Sequence, residues 1–105
     1  MATTKLREKQ IEARLLKRAR EHNGYAYKFT SPSRAGVPDR ILVLPCFDPH
    51  VQFVEAKAEG GKLRSNQERE IARIETAGGV VSIVDSYEDI DFLFALQCDG
   101  SCKNA

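Results

Sequence analysis

The sequence has no apolar run approaching the roughly 18 residues that a membrane-spanning helix needs. It is charged from Lys5 onward, with no apolar core of a secretory signal. Its three cysteines, an odd number, argue against a disulfide framework, and no second Cys or His pair completes a zinc site with Cys98 and Cys102. We therefore expect a soluble, cytoplasmic protein with one domain over residues 1–97 and a flexible polar tail over residues 98–105.

The charge of the chain is distributed unevenly. The net charge is only +1, which by itself does not indicate a nucleic-acid-binding protein. Residues 1–40, however, contain ten Lys or Arg against four Asp or Glu, whereas residues 41–105 contain six against eleven. A basic amino-terminal part can follow a phosphate backbone while acidic groups elsewhere hold a metal ion. A solvated basic helix face would have the same composition, so the charge pattern leaves both interpretations open.

Hydrophobic periodicity and turn residues predict seven secondary-structure elements. The almost fully apolar segment 80–84 is expected to lie inside a sheet. Ser65, followed three residues later by Glu68, predicts a capping box at the start of the second helix. The order α-β-β-β-α-β-α is that of a mixed α/β domain. Helices are predicted at 4–22, at 66–77 and from Ser86 onward, and strands at 25–30, 39–45, 51–57 and 80–84.

The two central strands predict a pair of neighbouring carboxylates. If 39–45 pairs antiparallel with 51–57 around a turn near residue 47, the numbers of paired residues sum to about 94, and Asp39 lies opposite Glu55. Two such carboxylates repel each other unless a cation lies between them, and Mg²⁺ or Mn²⁺ is the natural occupant. Lys57 lies two residues further along, on the same strand face, where an ammonium can act on a water or a phosphate. An exposed salt-bridge ladder is the alternative.

Three sequence segments resemble a known nuclease pattern. They are Gly36-Val37-Pro38-Asp39-Arg40, Phe53-Val54-Glu55-Ala56-Lys57 and Gln67. Together they resemble the PD-(D/E)XK nucleases, and more narrowly the VRR-NUC branch, the virus-type replication-repair nucleases. The resemblance covers about residues 5–90 and is most similar to stand-alone phage and prophage members. It implies a restriction-endonuclease-like α/β core, in which a central mixed β-sheet is flanked by helices.

The resemblance also implies a set of active-site residues. Asp39, Glu55 and the backbone carbonyl of Ala56 are expected to hold Mg²⁺ or Mn²⁺, and Lys57 is expected to be the catalytic lysine. Each of these residues stands at the position of this sequence that matches the family motif.

Two further residues are expected at this site. A glutamate of the first helix joins the metal site in the family, and Glu12 matches its position better than Glu8 because it precedes the Leu15-Leu16 pair. Gln67 corresponds to the motif glutamine, whose amide can fix the lysine or a metal-bound water. The ordinary interpretations are a solvent-facing Glu12 and a Gln67 that simply begins a helix.

The function implied by the resemblance is that of a metal-dependent, structure-selective DNA endonuclease, a phosphodiester hydrolase with branched DNA such as four-way junctions as its candidate substrate. The alternative is a non-catalytic nucleic-acid-binding module on the same scaffold. The presence of Asp39, Glu55 and Lys57 together argues against it. A phage or prophage member would act in the bacterial host cytoplasm. The residues expected to contact DNA are Lys28, Ser31, Arg34 and Arg40 near the loop before Asp39, and Lys9, Arg14 and Arg18 along the first helix.

The last helix predicts a homodimer. Its residues Ile90, Leu93 and Phe94 fall along one side, whereas Phe92 and Leu96 fall on another flank. An exposed apolar flank on a small protein usually marks a partner surface. Stand-alone members of the resembled family are also expected to pair, because one active site cannot cut two strands at once. A monomer whose last helix is buried on two sides is the alternative.

Overall fold

The structure, a computed structural model, describes residues 5–98. It confirms the predicted order of elements and the mixed α/β class. Within the described residues, none of the helices has the length and apolar character needed to cross a membrane. The elements are α1 (Glu8–Glu21), β1 (Tyr25–Lys28), β2 (Arg40–Val43), β3 (Val51–Ala56), α2 (Ser65–Thr76), β4 (Val81–Val84) and α3 (Tyr87–Gln97).

The four strands form one sheet in the order β1-β2-β3-β4. The pairs β1–β2 and β2–β3 are antiparallel, whereas β3 and β4 are parallel and are connected through α2. The prediction that residues 80–84 lie inside the sheet is wrong, because β4 is an edge strand. Both α2 and α3 contact β4. Contacts with two helices favour apolar residues in an edge strand as they do in an internal one, so the composition alone did not distinguish the two positions.

The hydrophobic core lies between one face of the sheet and the helices α1 and α3. The inward-facing residues of α3 were predicted correctly, since Ile90, Leu93 and Phe94 are all buried. Full burial of one such side chain stabilises a fold by roughly 1.5–3 kcal/mol. The helical part of this cluster also includes Ile11, Leu15 and Ala19 of α1, and its strand part includes Leu42, Val54, Ala56 and Val84.

A disulfide bond joins Cys46 and Cys98, whose Cα atoms are 5.1 Å apart. The odd cysteine count argued against a disulfide framework, and the structure contains this one bond between two of the three cysteines. The bond links the β2–β3 turn to the end of α3 across 52 residues, a proximity that only the folded chain creates. Cys98 is also buried, so packed structure extends one residue into the segment assigned to the polar tail. The rest of that tail, residues 99–105, lies outside the described residues.

The helix α2 begins one residue earlier than the sequence predicted. Arg64, and not Ser65, is the residue that precedes the first turn, and its backbone N–H donates to Oε1 of Gln67 at 2.8 Å. The predicted capping box of Ser65 with Glu68 is wrong for this reason. Gln67 satisfies an N–H group that helix geometry leaves unpaired, the task that a capping glutamate usually performs.

Candidate active site

The β2–β3 hairpin places Asp39 and Glu55 next to each other. Arg40 pairs with Val54, and the numbers of these partners sum to 94, so the predicted register is confirmed. Asp39 precedes Arg40 by one residue, and the same register continued by one step sets it opposite Glu55. The negative charge of Asp39 contributes to a raised pKa of Glu55, as expected for two carboxylates in this arrangement.

Glu55 is a buried carboxylate with a strongly shifted pKa. Its burial, and secondarily the charge of Asp39, raise its pKa from 4.5 to about 7, while Lys57 acts in the opposite direction. The ammonium Nζ of Lys57 lies 3.7 Å from Oε2 of Glu55. A buried acid whose pKa approaches neutrality beside a specific charge partner is characteristic of functional sites. The hairpin therefore combines two acidic groups and one cation in a largely buried position.

Gln67 connects this carboxylate to the start of α2. Its Nε2 donates to Oε2 of Glu55 at 3.3 Å, and its Oε1 accepts the Arg64 N–H described above. Gln67 itself is only 6% exposed. The sequence suggested the lysine or a water as its partner, whereas the structure shows Glu55. Gln67 thus orients the buried acid and is itself held by the backbone.

A group of three carboxylates lies where α1 meets the beginning of β2. Oxygen atoms of Glu8, Glu12 and Asp39 lie within 4.8 Å of one another. Oδ1 of Asp39 is buried and accepts no hydrogen bond from any residue between 5 and 98. A buried acceptor without a donor is destabilising, and a cation bound by these oxygens would relieve it. The residues therefore fit a hard divalent cation, whose preferred ligands are carboxylate oxygens.

The two glutamates of α1 differ in their partners. Glu12 accepts from Arg40 at 3.0 Å, and both side chains are mostly buried. Glu8 is exposed, makes no ion pair with the described residues, and its charge also raises the pKa of Glu55. The structure therefore brings both glutamates to the site, where the sequence favoured Glu12 alone. Their spacing of four residues, one helical turn, was the signal that could have included Glu8.

The loop before Asp39 is docked closely on the start of α2. Gly36 has φ +87°, and a Cβ at this position would lie 2.5 Å from the carbonyl oxygen of Asn66. Only glycine combines this positive φ with so close an approach. Pro38 is buried between this contact and Asp39. The glycine of the motif is therefore explained by packing that fixes the chain as it reaches the carboxylate.

Reciprocal hydrogen bonds tie the loop after Lys57 to the chain entering α1. The Glu59 N–H donates to the carbonyl oxygen of Leu6 at 2.9 Å, and Oε1 of Glu59 accepts the Leu6 N–H at 3.0 Å. The next residue, Gly60, donates its N–H to Oδ2 of Asp85 at 3.2 Å. These bonds hold the ends of three elements around the site.

Several cations expected to contact DNA already have carboxylate partners. Arg34 donates from Nε to both oxygens of Glu70 at 3.0 Å, and this contact holds the pKa of Glu70 below its usual range. Arg14 and Arg18 donate to Asp91 of α3 at 3.0 and 2.9 Å. These three arginines therefore hold elements of the domain together, a tertiary role that the sequence did not indicate.

Arg40, a fourth predicted DNA contact, is mostly buried and paired with Glu12. The other three predicted contacts have more accessible side chains. Lys9 on α1 and Lys28 at the end of β1 are exposed, and neither forms an ion pair within residues 5–98. Ser31 is half-buried in the loop that follows Lys28. Lys28 pairs with Arg40 across β1 and β2, one residue from Asp39. Lys28 is therefore a predicted DNA contact that forms no ion pair within residues 5–98 and lies beside the residue that follows Asp39.

Comparisons with known proteins give one consistent family. The model of the VRR-NUC domain family matches residues 4–88. The chain is 45% identical over 83 residues to a protein of Acyrthosiphon pisum secondary endosymbiont phage 1 named "Putative nuclease p44", a match that spans 79% of this chain and 87% of that protein. It is also similar to a solved structure titled "VRR_NUC domain", with a TM-score of 0.77 and 28% identity over 84% of this chain and 94% of the other.

Proposed function

The chain belongs to the VRR-NUC family of nucleases, and from this premise we propose that it is a metal-dependent DNA endonuclease whose active site is built on Asp39, Glu55 and Lys57. The observation that carries the proposal is the buried oxygen of Asp39 that has no donor among residues 5–98 and lies within 4.8 Å of glutamate oxygens from α1. A cation bound by these oxygens would offset the cost of burying an acceptor that has no donor.

Asp39, Glu55 and the backbone carbonyl of Ala56 are the proposed ligands of the ion. Ala56 is the last residue of β3 and follows Glu55 directly, so its carbonyl belongs to the same strand end. Glu8 and Glu12 complete the acidic group from α1. When bound, Mg²⁺ or Mn²⁺ supplies a Lewis acid that acidifies water and offsets charge on the phosphate.

The protein's own groups perform the other tasks. Lys57 presents an ammonium 3.7 Å from Glu55, where it can hydrogen-bond an attacking water or a non-bridging phosphate oxygen. Gln67 holds one oxygen of Glu55 in place through its amide. Arg40 binds Glu12 and so fixes the α1 carboxylate against the strand end. A phosphodiester and an attacking water would then meet a prearranged set of charges.

The substrate is proposed to be branched DNA, and the active form a homodimer. Exposed Lys9 and Lys28 supply unpaired positive charge on the approach to the site. A two-fold dimer presents two active sites to opposed strands, which suits a symmetric four-way junction. The expectation of a junction substrate comes from the resemblance to stand-alone phage members.

A cleavage assay with matched variants tests the proposal. Wild-type protein is incubated with Mg²⁺, with Mn²⁺ or with a chelator, on plasmid DNA, on linear duplex, on a fixed four-way junction and on RNA. We expect metal-dependent cleavage with preference for the junction, loss of cleavage in Asp39→Asn, and full cleavage in the control Asp48→Asn, which makes the same change in the exposed β2–β3 turn.

Three outcomes would contradict the assignment. Normal cleavage by Asp39→Asn would show that Asp39 is not an active-site residue. Cleavage that persists in the presence of the chelator shows that the reaction does not depend on a metal ion. Tight junction binding by the wild type without any cleavage instead assigns the chain as a non-catalytic nucleic-acid-binding module.

A further inference from the structure

One face of the sheet carries exposed apolar side chains. The helices α1 and α3 cover the opposite face, and α2 contacts β4 at one side. On the uncovered part, Tyr25 is 64% exposed, Tyr27 is 55% exposed and Val51 is 53% exposed. Monomeric proteins rarely leave a contiguous apolar surface of this kind in water. An exposed apolar patch of this kind typically marks a binding surface.

These three exposed residues and the half-buried Ile41, Val43 and Phe53 form two rows across three strands. The first row joins Tyr25, Val43 and Val51 as direct partners in the sheet, and the second joins Tyr27, Ile41 and Phe53. Rows two residues apart are separated by about 7 Å. The next row along the same face contains Glu55, so the surface borders the active site. We call these six residues the apolar face: Tyr25, Tyr27, Ile41, Val43, Val51 and Phe53.

The apolar face carries no charged side chain. Binding to a phosphate backbone depends on Lys and Arg, so this surface is poorly suited to duplex DNA. A two-fold contact between identical chains places a patch against itself, so a patch with charges of one sign would repel its copy. An uncharged patch containing two tyrosines and a phenylalanine meets that condition and matches the aromatic enrichment of interface centres.

The surface around Tyr25 contains both a protruding side chain and recesses. Its exposed ring lies between two surface hollows of about 310 and 340 Å³. A contact of a surface with its own copy needs a protrusion and a recess within the same patch. The first hollow is lined by Leu16, Arg20, Gly24, Tyr25, Ala26 and Tyr27, and the second by Asn23, Tyr25, Val43, Leu44, Pro45 and His50.

The flank of α3 is the competing surface for self-association. Phe92 is 61% exposed and Leu96 is 73% exposed, as the sequence predicted. These are only two apolar side chains, however, and the exposed Glu88 lies one turn before Phe92. A second copy would bring a like charge to the same flank. The apolar face is larger, and none of its six residues is charged; Arg20 of α1 lines only the first hollow beside it.

We infer that the apolar face binds a second copy of this chain and forms the centre of the homodimer. The inference rests on the proposed homodimeric nuclease and specifies which surface makes it. Because the row containing Glu55 borders this face, each active site lies at the rim of the interface. The two sites of the dimer are then fixed with respect to each other by the sheets themselves.

Light scattering on four lysine variants tests the inference. Tyr25→Lys and Val51→Lys place a charge on the apolar face, while Phe92→Lys and Leu96→Lys place the same charge on the α3 flank. We expect the wild type and both α3 variants to have twice the chain mass of 11.7 kDa. The two variants of the apolar face are expected to dissociate, with a Kd at least about 30-fold higher, as for loss of one central interface residue.

Hydroxyl-radical footprinting of the wild type gives a measurement that needs no variant. Tyr25 and Tyr27 should be protected in the dimer and become reactive on dilution, whereas Phe92 and Leu96 should react equally in both states. Metal-dependent cleavage by the wild type is measured on the same preparations, so that loss of the dimer can be distinguished from loss of the nuclease.

Three results would overturn the inference. If the wild type is monomeric at concentrations at which it cleaves DNA, the dimer inference is contradicted and the proposed nuclease activity is not. If only the two α3 variants dissociate, the dimer interface is assigned to the α3 flank. A Tyr25→Lys protein that remains dimeric but loses DNA affinity assigns the apolar face to nucleobases, which exposed tyrosines can stack upon.

Discussion

The amide nitrogen of Gln67 lies 3.3 Å from Oε2 of Glu55, and both side chains are buried. The other end of the same amide accepts the Arg64 N–H at 2.8 Å, so the orientation of Gln67 is set by the helix start. A side chain that links a buried acid to a backbone N–H group acts by positioning that acid. This contact gives the motif glutamine a physical role that does not require it to touch DNA.

Gln67→Ala is expected to lower cleavage about 10- to 100-fold and to weaken metal affinity, because residues that support metal ligands typically have effects of this size. Gln10→Ala is the matched control, since Gln10 accepts the Arg7 N–H at 2.8 Å in the same way at the start of α1. Calorimetric metal binding and single-turnover cleavage are compared in the two variants. Equal effects of both substitutions would show that Gln67 only caps the start of α2 and does not position Glu55.

The stability of the metal-free protein is expected to fall as pH rises from about 4.5 through about 7. Glu55 has a folded-state pKa of about 7 against an ordinary 4.5, mainly through burial. The folded state therefore retains the proton more tightly than the unfolded chain. The resulting stability is fully present below the unfolded pKa and is lost as pH rises through the folded pKa.

Urea unfolding in the presence of chelator measures this effect of Glu55. The difference between the wild type and Glu55→Gln isolates it from other titrating groups, because glutamine keeps the shape and cannot ionise. Added Mg²⁺ should restore stability at the upper end of the range. A difference between the two proteins that stays constant from pH 4.5 to 7 contradicts the raised pKa.

Lys57→Ala is expected to reduce cleavage by about 100-fold or more while metal binding persists, since a positioned proton donor or acceptor typically contributes 10²–10⁴ in rate. Metal binding should even strengthen, because the ammonium 3.7 Å from Oε2 of Glu55 competes with a cation. Lys62→Ala, in the exposed loop that follows, is the control. Metal affinity lost with turnover unchanged would reverse the roles assigned here.

Lys28→Ala is expected to flatten the salt dependence of DNA binding by about one unit of log–log slope, the value for one lost phosphate contact. Arg34→Ala should change the slope less, because its guanidinium must first leave Glu70. Glu70→Gln weakens that ion pair and should make the contribution of Arg34 larger. An unchanged slope for Lys28→Ala would remove Lys28 from the DNA-binding surface.

Reduction of the disulfide is expected to destabilise the domain by about 2–4 kcal/mol, the usual effect of opening a long cross-linked loop. Thermal unfolding of Cys46→Ser should match that of the reduced wild type, since the bond joins only Cys46 and Cys98. Cys102→Ser serves as the control and should unfold like the oxidised wild type. Equal melting temperatures with and without reductant would show that the bond contributes nothing to stability.

The local parts of the site could be predicted from the sequence. The register of Asp39 with Glu55 followed from the length of the hairpin, because pairing in an antiparallel sheet is fixed by the position of the turn. The buried side of α3 followed from the periodicity of Ile90, Leu93 and Phe94 in the same way. In each case the determining residues lie close together along the chain.

The tertiary parts could not be predicted. Arg34 meets Glu70, and Arg14 and Arg18 meet Asp91, only because α2 and α3 are placed by the whole fold. In the sequence these arginines appear only as basic residues, which fit DNA binding as well as ion pairs within the domain. Likewise, alternation in Tyr25-Ala26-Tyr27 indicates two faces, but it does not say which face the helices leave uncovered.

The bond of Gly60 with Asp85, and those of Arg14 and Arg18 with Asp91, matter for a chain that is still being synthesised. A ribosome-bound chain that ends before β4 contains every carboxylate of the site, but lacks Asp85 and the α3 residues that hold α1 in place. Such a nascent chain has its ligands without the geometry that assembles them. We therefore expect the acidic site to be assembled only after β4 and α3 have been synthesised.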